Sequence, residues 1–126
     1  MAMNKEHKEF HTLDMDKGWE TPPGYPGGIK QKILAGRLDE ENKKGGRTRL
    51  LRFDPGVYTT KPFVHDYWEE VYLLSGELIV GNDENGEGGR TFPPQTYACR
   101  PPGASHGPFK SVTGCLLYEI HYYDPA

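Results

Sequence analysis

Residues 55–76 read PGVYTTKPFVHDYWEEVYLLSG, and this stretch decides how the rest of the chain is interpreted. It carries an imidazole, His65, and two adjacent carboxylates, Glu69 and Glu70, at the head of an apolar strand. Further along, residues 101–108 read PPGASHGP and bring a second imidazole on a turn rich in proline and glycine. Two histidines and a carboxylate on strand edges and a turn are typical ligands of a small metal site.

The composition indicates one all-β domain. The chain has 126 residues, enough to bury a core without disulfides. Sixteen glycines and eleven prolines interrupt short apolar segments, and runs with helical periodicity are almost absent. Such closely spaced breaks are typical of a sandwich or barrel of short strands. We therefore predict an extended N-terminal arm over residues 1–27 and a single β-barrel domain over residues 28–126.

Charge and hydropathy argue against nucleic-acid and membrane partners. The formal net charge is −3, with acidic and basic residues interspersed, so no basic patch indicates nucleic-acid binding. The apolar runs are far shorter than a membrane span, and the charged residues at the start lack the apolar segment of a signal peptide. We expect a cytoplasmic protein in which Cys99 and Cys115 are reduced and lie in the core.

Strand alternation predicts which of the two carboxylates faces the histidines. Phe63, His65, Tyr67 and Glu69 share one parity, so we favour Glu69 over Glu70 as the ligand if the segment stays extended. A bulge between His65 and Glu69 would reverse this assignment, because a shift of one residue moves every side chain to the other face.

Three expectations concern charged residues outside this stretch. Residues 114–123 form the last predicted strand, and we expect its histidine, His121, at the surface or at an interface. Arginines alternate along residues 47–53, which predicts a strand with one solvated face. We expect Arg100 to pair with a surface acid such as Glu119, with a bidentate contact to a substrate carboxylate as the alternative.

The two histidine-bearing stretches resemble the two motifs of the cupin family, G-x5-H-x-H-x3–4-E-x6-G and G-x5-P-x-G-x2-H-x3-N. Glu69 is followed by six residues and then Gly76, and His65 fits the second histidine of the first motif. Residues 101–106 read PPGASH and fit P-x-G-x2-H. Over residues 45–123 the chain resembles small single-domain cupins of the ChrR-like and acetylacetone-dioxygenase-like kinds. This resemblance implies a β-barrel of the double-stranded β-helix type.

The resemblance also implies a divalent transition metal held by His65, Glu69 and His106. Phe63 stands where the motif has its first histidine, so one of the family's ligands is missing. Two histidines and one carboxylate with open positions suit Fe(II), which we favour, with Mn(II), Zn(II) and Ni(II) as alternatives. If this chain instead follows related cupins whose motif has a shorter spacing, Glu70 is the ligand and His65 aligns with the first histidine of the motif.

The implied function is that of a metal-dependent enzyme acting on a small oxygenated organic substrate, such as a diketone, a hydroxyketone or a carboxylic acid. The resemblance favours dioxygenase-type cleavage of a carbon–carbon bond. Phe63, Tyr67 and Arg100 are the expected substrate contacts, and no catalytic residue is assigned. Two alternatives remain open, a non-catalytic cupin that binds or senses a metal or metabolite, and a degenerate cupin without metal.

A homodimer is the expected quaternary structure. An open sheet edge and a tyrosine-rich surface need a cover. We expect the arm around Trp19 and Tyr25 to pack on the neighbouring subunit.

Overall fold

A computed structural model describes residues 4–124 and has an all-β fold, which confirms the expected fold class. The described chain forms ten strands: β1 (Ile29–Asp39), β2 (Lys44–Phe53), β3 (Phe63–Val64), β4 (Trp68–Gly76), β5 (Leu78–Val80), β6 (Arg90–Phe92), β7 (Tyr97–Arg100), β8 (Ser105–His106), β9 (Phe109–Lys110) and β10 (Cys115–Tyr122). Over residues 4–124, no helix is long and apolar enough to cross a bilayer.

The strands form three antiparallel sheets. The largest has the order β1-β2-β10-β4-β7, and the two smaller ones have the orders β6-β5-β9 and β3-β8. The five-stranded sheet packs its inner face against the smaller sheets. This arrangement is the double-stranded β-helix barrel that the sequence motifs implied.

The inner face of the large sheet is apolar at one end of the barrel. Cys115 lies opposite Phe53, and Leu117 lies between Leu51 and Leu73 in neighbouring strands. Full burial of such a side chain stabilises the fold by about 1.5–3 kcal/mol. The buried apolar cluster consists of Ile29, Leu51, Phe53, Leu73, Leu78, Cys115 and Leu117.

At the other end of the same strands the inner face is charged, and here one prediction was wrong. The alternating arginines of β2 were expected to face solvent, but Arg49 is only 2% exposed and is paired with Glu119 at 2.7 Å. The reason is strand parity. Arg49 shares its parity with Leu51 and Phe53, which lie in the buried apolar cluster, so its side chain points into the barrel.

The two cysteines differ in exposure. Cys115 is buried, as expected, whereas Cys99 is exposed, so its assignment to the core was wrong. Cys99 lies on β7, which is an edge strand of the large sheet, and its side chain points away from the core.

The N-terminal arm packs on its own chain. The ammonium group of Lys5 donates a hydrogen bond to the Thr48 hydroxyl at 2.8 Å. Further along the arm, the guanidinium of Arg52 lies 4.3 Å from the ring centroid of Trp19. These contacts place the arm along β1 and β2 before it turns towards the mouth of the barrel at Tyr25.

Candidate metal centre

Four strands present polar side chains in register at the charged end of the barrel. His121 of β10 lies opposite Arg47 of β2 on one side and opposite Glu69 of β4 on the other. Glu69 in turn lies opposite Arg100 of β7. Directly opposite residues on one face of a sheet have β-carbons about 5 Å apart, so the register alone brings these four groups into contact.

A buried ion pair lies beside this row, one step deeper in the barrel. Arg49 donates to Glu119 Oε1 from Nε at 2.8 Å and from Nη2 at 2.7 Å, and its Nη1 donates to Gln31 Oε1 at 2.7 Å. Burial by itself would raise the pKa of Glu119, but Arg49 and His121 outweigh it and hold the pKa well below its ordinary value. Glu119 is therefore an ionised carboxylate that is paired with Arg49.

The rim formed by β3 and β8 places two histidines across from Glu69. Phe63 pairs in register with His106, and His65 follows on the same face. His106 Nδ1 lies 3.5 Å from the Ala104 carbonyl oxygen, and its Nε2 lies 3.4 Å from Glu69 Oε1. His65 Nε2 is buried and has no hydrogen-bond partner. One ligand atom from each of His65, Glu69 and His106 lies within 4.8 Å of the others.

The geometry of this cluster fits a divalent metal. Two donors bound at 2.0–2.2 Å to one ion lie roughly 3.0 Å apart at an octahedral angle and roughly 3.4 Å apart at a tetrahedral angle, and the 3.4 Å between His106 Nε2 and Glu69 Oε1 lies at the upper end of this range. A buried nitrogen without a partner, such as His65 Nε2, costs about 1–3 kcal/mol. A metal ion shared by the three side chains would satisfy that nitrogen.

The protonation states of the two histidines and of Glu69 also suit metal binding. Burial lowers the pKa of His65 to about 4 and also lowers the pKa of His106, so both imidazoles are neutral at pH 7. Burial and the nearby Glu119 would raise the pKa of Glu69, but the hydrogen bond that His121 donates keeps it below its ordinary value. A neutral imidazole and an ionised carboxylate are the forms that bind metal.

Residues 7–123 match the family model described as the ChrR cupin-like domain. The chain belongs to the ChrR cupin-like family. No curated protein matches it by sequence.

Solved structures share the fold at low identity. An RmlC-like cupin from Shewanella frigidimarina is 20% identical with a TM-score of 0.66, covering 97% of this chain and 96% of that one. An acetylacetone dioxygenase from Acinetobacter johnsonii is 22% identical with a TM-score of 0.64, covering 99% and 81%. KdgF from a Halomonas species is 15% identical with a TM-score of 0.63, covering 94% and 96%. At these identities the likeness shows the fold and no more.

His121 supports the site of this cupin but cannot act as a ligand. Arg47 donates to His121 Nδ1 from Nε at 3.1 Å and from Nη2 at 2.7 Å, and an arginine can only donate. Nδ1 is therefore the acceptor, and Nε2 carries the proton that it donates to Glu69 Oε2 at 2.9 Å. With both ring nitrogens engaged, His121 has no lone pair for a metal, and it holds Glu69 with Oε1 towards His106.

The expectation that His121 lies at the surface or an interface was wrong, because the side chain is 0% exposed. A signal was present in the sequence. His121 shares its strand parity with Cys115 and Leu117, and both of these residues lie in the core.

The structure places Glu69, and not Glu70, in the cluster. Glu69 is 4% exposed and points inward. Glu70 points to the outer face of β4, where it accepts hydrogen bonds from the hydroxyls of Tyr97 at 2.5 Å and Tyr122 at 3.1 Å. The segment from Phe63 onward keeps its parity, so the alternation that favoured Glu69 holds.

Arg100 reaches the cluster from β7. Its Nη1 donates to Glu69 Oε1 at 2.9 Å, and the side chain is 20% exposed. The expected pairing with Glu119 was wrong because Glu119 lies deeper in the barrel, against Arg49. Arg100 therefore combines a fixed contact to Glu69 with donors that remain near the cavity.

A cavity of about 30 Å³ adjoins the cluster, room for only one or two water molecules. Two of the predicted substrate contacts, Phe63 and Arg100, line it. The third, Tyr67, instead lies behind His65 with the two ring centroids 4.6 Å apart, and it is 5% exposed. The lining consists of Tyr25, Leu51, Phe53, Phe63, Glu69, Val71, Leu78, Arg100, His106, Phe109, Leu117 and Glu119.

Tyr25 is a site residue that the sequence reasoning missed. It belongs to the N-terminal arm, yet its ring stacks on Phe63 with centroids 5.0 Å apart. The arm has no strand alternation that relates its residues to the barrel interior, so no local pattern predicts this contact.

Proposed function

We propose that this ChrR cupin-like protein is a metal-dependent enzyme that acts on a small oxygenated organic substrate. His65, Glu69 and His106 would hold a divalent transition metal, with Fe(II) favoured and Mn(II), Zn(II) or Ni(II) as alternatives. The observation that carries the proposal is the buried Nε2 of His65, which has no partner and lies in the same cluster as the Glu69 carboxylate and His106.

The surrounding residues prepare this site for chemistry. When bound, the metal supplies Lewis-acid polarisation of a substrate oxygen and, if it is iron, redox chemistry with O₂. His121, itself fixed by Arg47, keeps Glu69 ionised and oriented. Apolar walls around the cavity exclude bulk water, which strengthens every charge interaction inside it.

Arg100 and the aromatic wall define the class of substrate. Arg100 makes one hydrogen bond to Glu69 and retains further donors for a carbonyl or carboxylate oxygen. The rings of Phe63 and Phe109 offer apolar contact beside it. A diketone, a hydroxyketone or a small carboxylic acid presents both features. Dioxygenase-type cleavage of a carbon–carbon bond is the reaction that the resemblance of the sequence motifs favours.

A second candidate function is binding or sensing of a metal or metabolite without turnover. The observation that favours it is the small size of the cavity, about 30 Å³, which leaves little room for a reacting substrate in the described conformation. Metal-dependent turnover distinguishes the two candidates. Consumption of O₂ by the Fe(II)-loaded protein with a panel of diketones and hydroxyketones would support the enzyme, and its absence across the panel would favour the binding role.

Calorimetric titration with Fe(II), Mn(II) and Zn(II) tests the metal assignment. We expect about one ion per chain, and an affinity loss of about 10-fold or more in His65→Ala, Glu69→Ala and His106→Ala. Glu70→Ala is the matched control, because it removes the adjacent carboxylate from the outer face of the same strand. Loss of metal in Glu70→Ala with retention in Glu69→Ala would refute the ligand set. Failure of the unmodified protein to bind any of the three ions would refute the proposal itself.

A further inference from the structure

The cavity beside the proposed ligands cannot hold the body of an organic substrate. Its volume of about 30 Å³ accommodates one or two water molecules, whereas small-molecule sites usually enclose about 300 Å³ or more. A neighbouring cleft of about 320 Å³ lies between the arm and residues 58–63. Tyr25 and Phe63 line both spaces, so this stacked pair is the wall between them.

We propose that this outer cleft is the binding site for the body of the substrate, and that a flat, conjugated carbonyl or carboxylate compound reaches the cavity by displacing Tyr25 and stacking on Phe63. The role of the cavity in this inference rests on the proposed function. The cleft and the displacement of Tyr25 are properties of the chain itself.

The contacts of the two rings indicate which of them moves. Phe63 lies on β3, which pairs with β8, and its ring centroid is 6.0 Å from that of His106 and 6.1 Å from that of Phe109. It is therefore held from several sides. Displacing it would disturb the same rim that positions His106.

Tyr25 is held by fewer rings, although it packs against the apolar core cluster and the Arg49 guanidinium lies 5.7 Å from its ring centroid. It is half-buried and lies on a turn between Gly24 and Gly27, and a β-carbon added at either glycine would meet nothing within 4 Å. Its hydroxyl accepts a hydrogen bond from Arg49 Nη2 at 3.4 Å, which is long for such a bond. The stack on Phe63 is thus its main aromatic contact, and a ligand ring can replace it.

The walls of the cleft determine the chemical class of the ligand. Five of the nine residues that line the cleft are aromatic or proline, and their rings suit a flat apolar body. Thr60 and Lys61 add a hydroxyl and a cation that suit an oxygen-bearing or anionic group. Because the Tyr25 and Phe63 rings stack at 21° between planes, a planar ring restores the contact that Tyr25 gives up, whereas a puckered ring does not.

Benzoate and cyclohexanecarboxylate are the probes that test this inference. Both carry a carboxylate on a six-membered ring, but only benzoate is flat and conjugated. Binding is followed by shifts of the backbone amide signals in NMR titrations of the metal-free and the Zn(II)-loaded protein. We expect benzoate to shift the signals of Thr60 and Lys61 in both forms, and to bind about 5-fold tighter than cyclohexanecarboxylate.

Substitutions of the two stacked rings should have opposite effects. Tyr25→Ala removes the ring that must be displaced, so benzoate affinity should rise about 2- to 10-fold. Phe63→Leu removes the ring on which the ligand stacks, so affinity should fall by a similar factor. Tyr25→Phe keeps the stack and loses only the hydroxyl, so it is the matched control and should stay within about 2-fold of the unmodified protein.

Each departure from these results overturns a part of the proposal. Lower affinity in both Tyr25→Ala and Phe63→Leu would mean that the rings are fixed walls. Equal affinity for the two probes would refute the flat ligand class, and unchanged signals at Thr60 and Lys61 would refute the cleft as the site. Failure of Zn(II) to bind, with the benzoate results intact, would instead refute the proposed function while the cleft stands.

Discussion

Replacing Arg49 by methionine tests how charge is balanced inside the barrel. Arg49 contacts Glu119 through two nitrogens at 2.7 and 2.8 Å, and the two side chains are 3% and 5% exposed. The substitution removes the cation that neutralises Glu119. Removing one partner of a buried ion pair costs about 3–5 kcal/mol, a large part of the roughly 5–15 kcal/mol that stabilises a typical domain.

The pH dependence of this loss has a definite sign. In the unmodified protein the pKa of Glu119 lies well below its ordinary value. Its ionised form therefore contributes stability above the unfolded-state pKa of about 4.3, and this contribution is lost as the pH falls through the folded-state pKa. In Arg49→Met, burial raises that pKa, so ionisation of Glu119 costs stability at pH 7 and the cost disappears on acidification. The difference between the two proteins should be largest near pH 7 and should shrink towards pH 4.

Urea unfolding followed by tryptophan fluorescence at pH 7 and pH 4.5 measures this difference. The double variant Arg49→Met with Glu119→Gln removes both charges and is the control, because it should recover most of the lost free energy of unfolding. A loss below about 1 kcal/mol in Arg49→Met, or an equal loss at both pH values, would refute the buried pair.

Four further outcomes are expected. One thiol, Cys99, should react with a disulfide reagent in the native protein and two in urea, because Cys115 is buried and burial raises its pKa to about 11; two fast native thiols would contradict the fold. Phe63→His should tighten Zn(II) binding by about 10-fold or more, because it adds a ligand beside His65 and His106. Calorimetry measures the affinity, and weaker binding would contradict the proposed metal site. Arg47→Met should weaken Zn(II) binding about 10-fold, because His121 then loses its fixed tautomer, and unchanged affinity would contradict that role. Zn(II) binding at pH 7 should release almost no protons, because the ligands are already in their binding forms; calorimetry in buffers of different ionisation enthalpy measures this, and release of one proton or more would contradict the assigned protonation states.

Much of the fold and the core of the site could be predicted from local patterns. The spacing of glycines and prolines predicted a succession of short strands, and the described residues form such strands. The alternation of Phe63, His65 and Glu69 predicted which carboxylate points inward, because the side-chain period of a strand depends on the backbone alone. The turn before His106 carried a motif of its own, so its approach to Glu69 followed from the family resemblance.

Which partners the supporting residues find depended on strand order, which no local pattern contains. Arg49 and His121 looked like solvent-facing residues because polar side chains on a strand usually mark a solvated face. They are buried because they share strand parity with core residues, Arg49 with Leu51 and His121 with Leu117, and each finds a partner on the next strand. Tyr25 escaped prediction for a related reason, since only tertiary packing brings the arm against Phe63.

The most direct test of the metal site is an anomalous-difference map from crystals of the protein grown with Mn(II) or Zn(II). We expect one peak at about 2.0–2.3 Å from Nε2 of His65, Nε2 of His106 and Oε1 of Glu69. A peak between Glu69, Glu119 and His121, the other group of acidic and imidazole side chains that the described residues bring together, would contradict the ligand assignment. Crystals that contain no bound metal at saturating concentrations of either ion would contradict the central claim that this cupin holds a divalent metal.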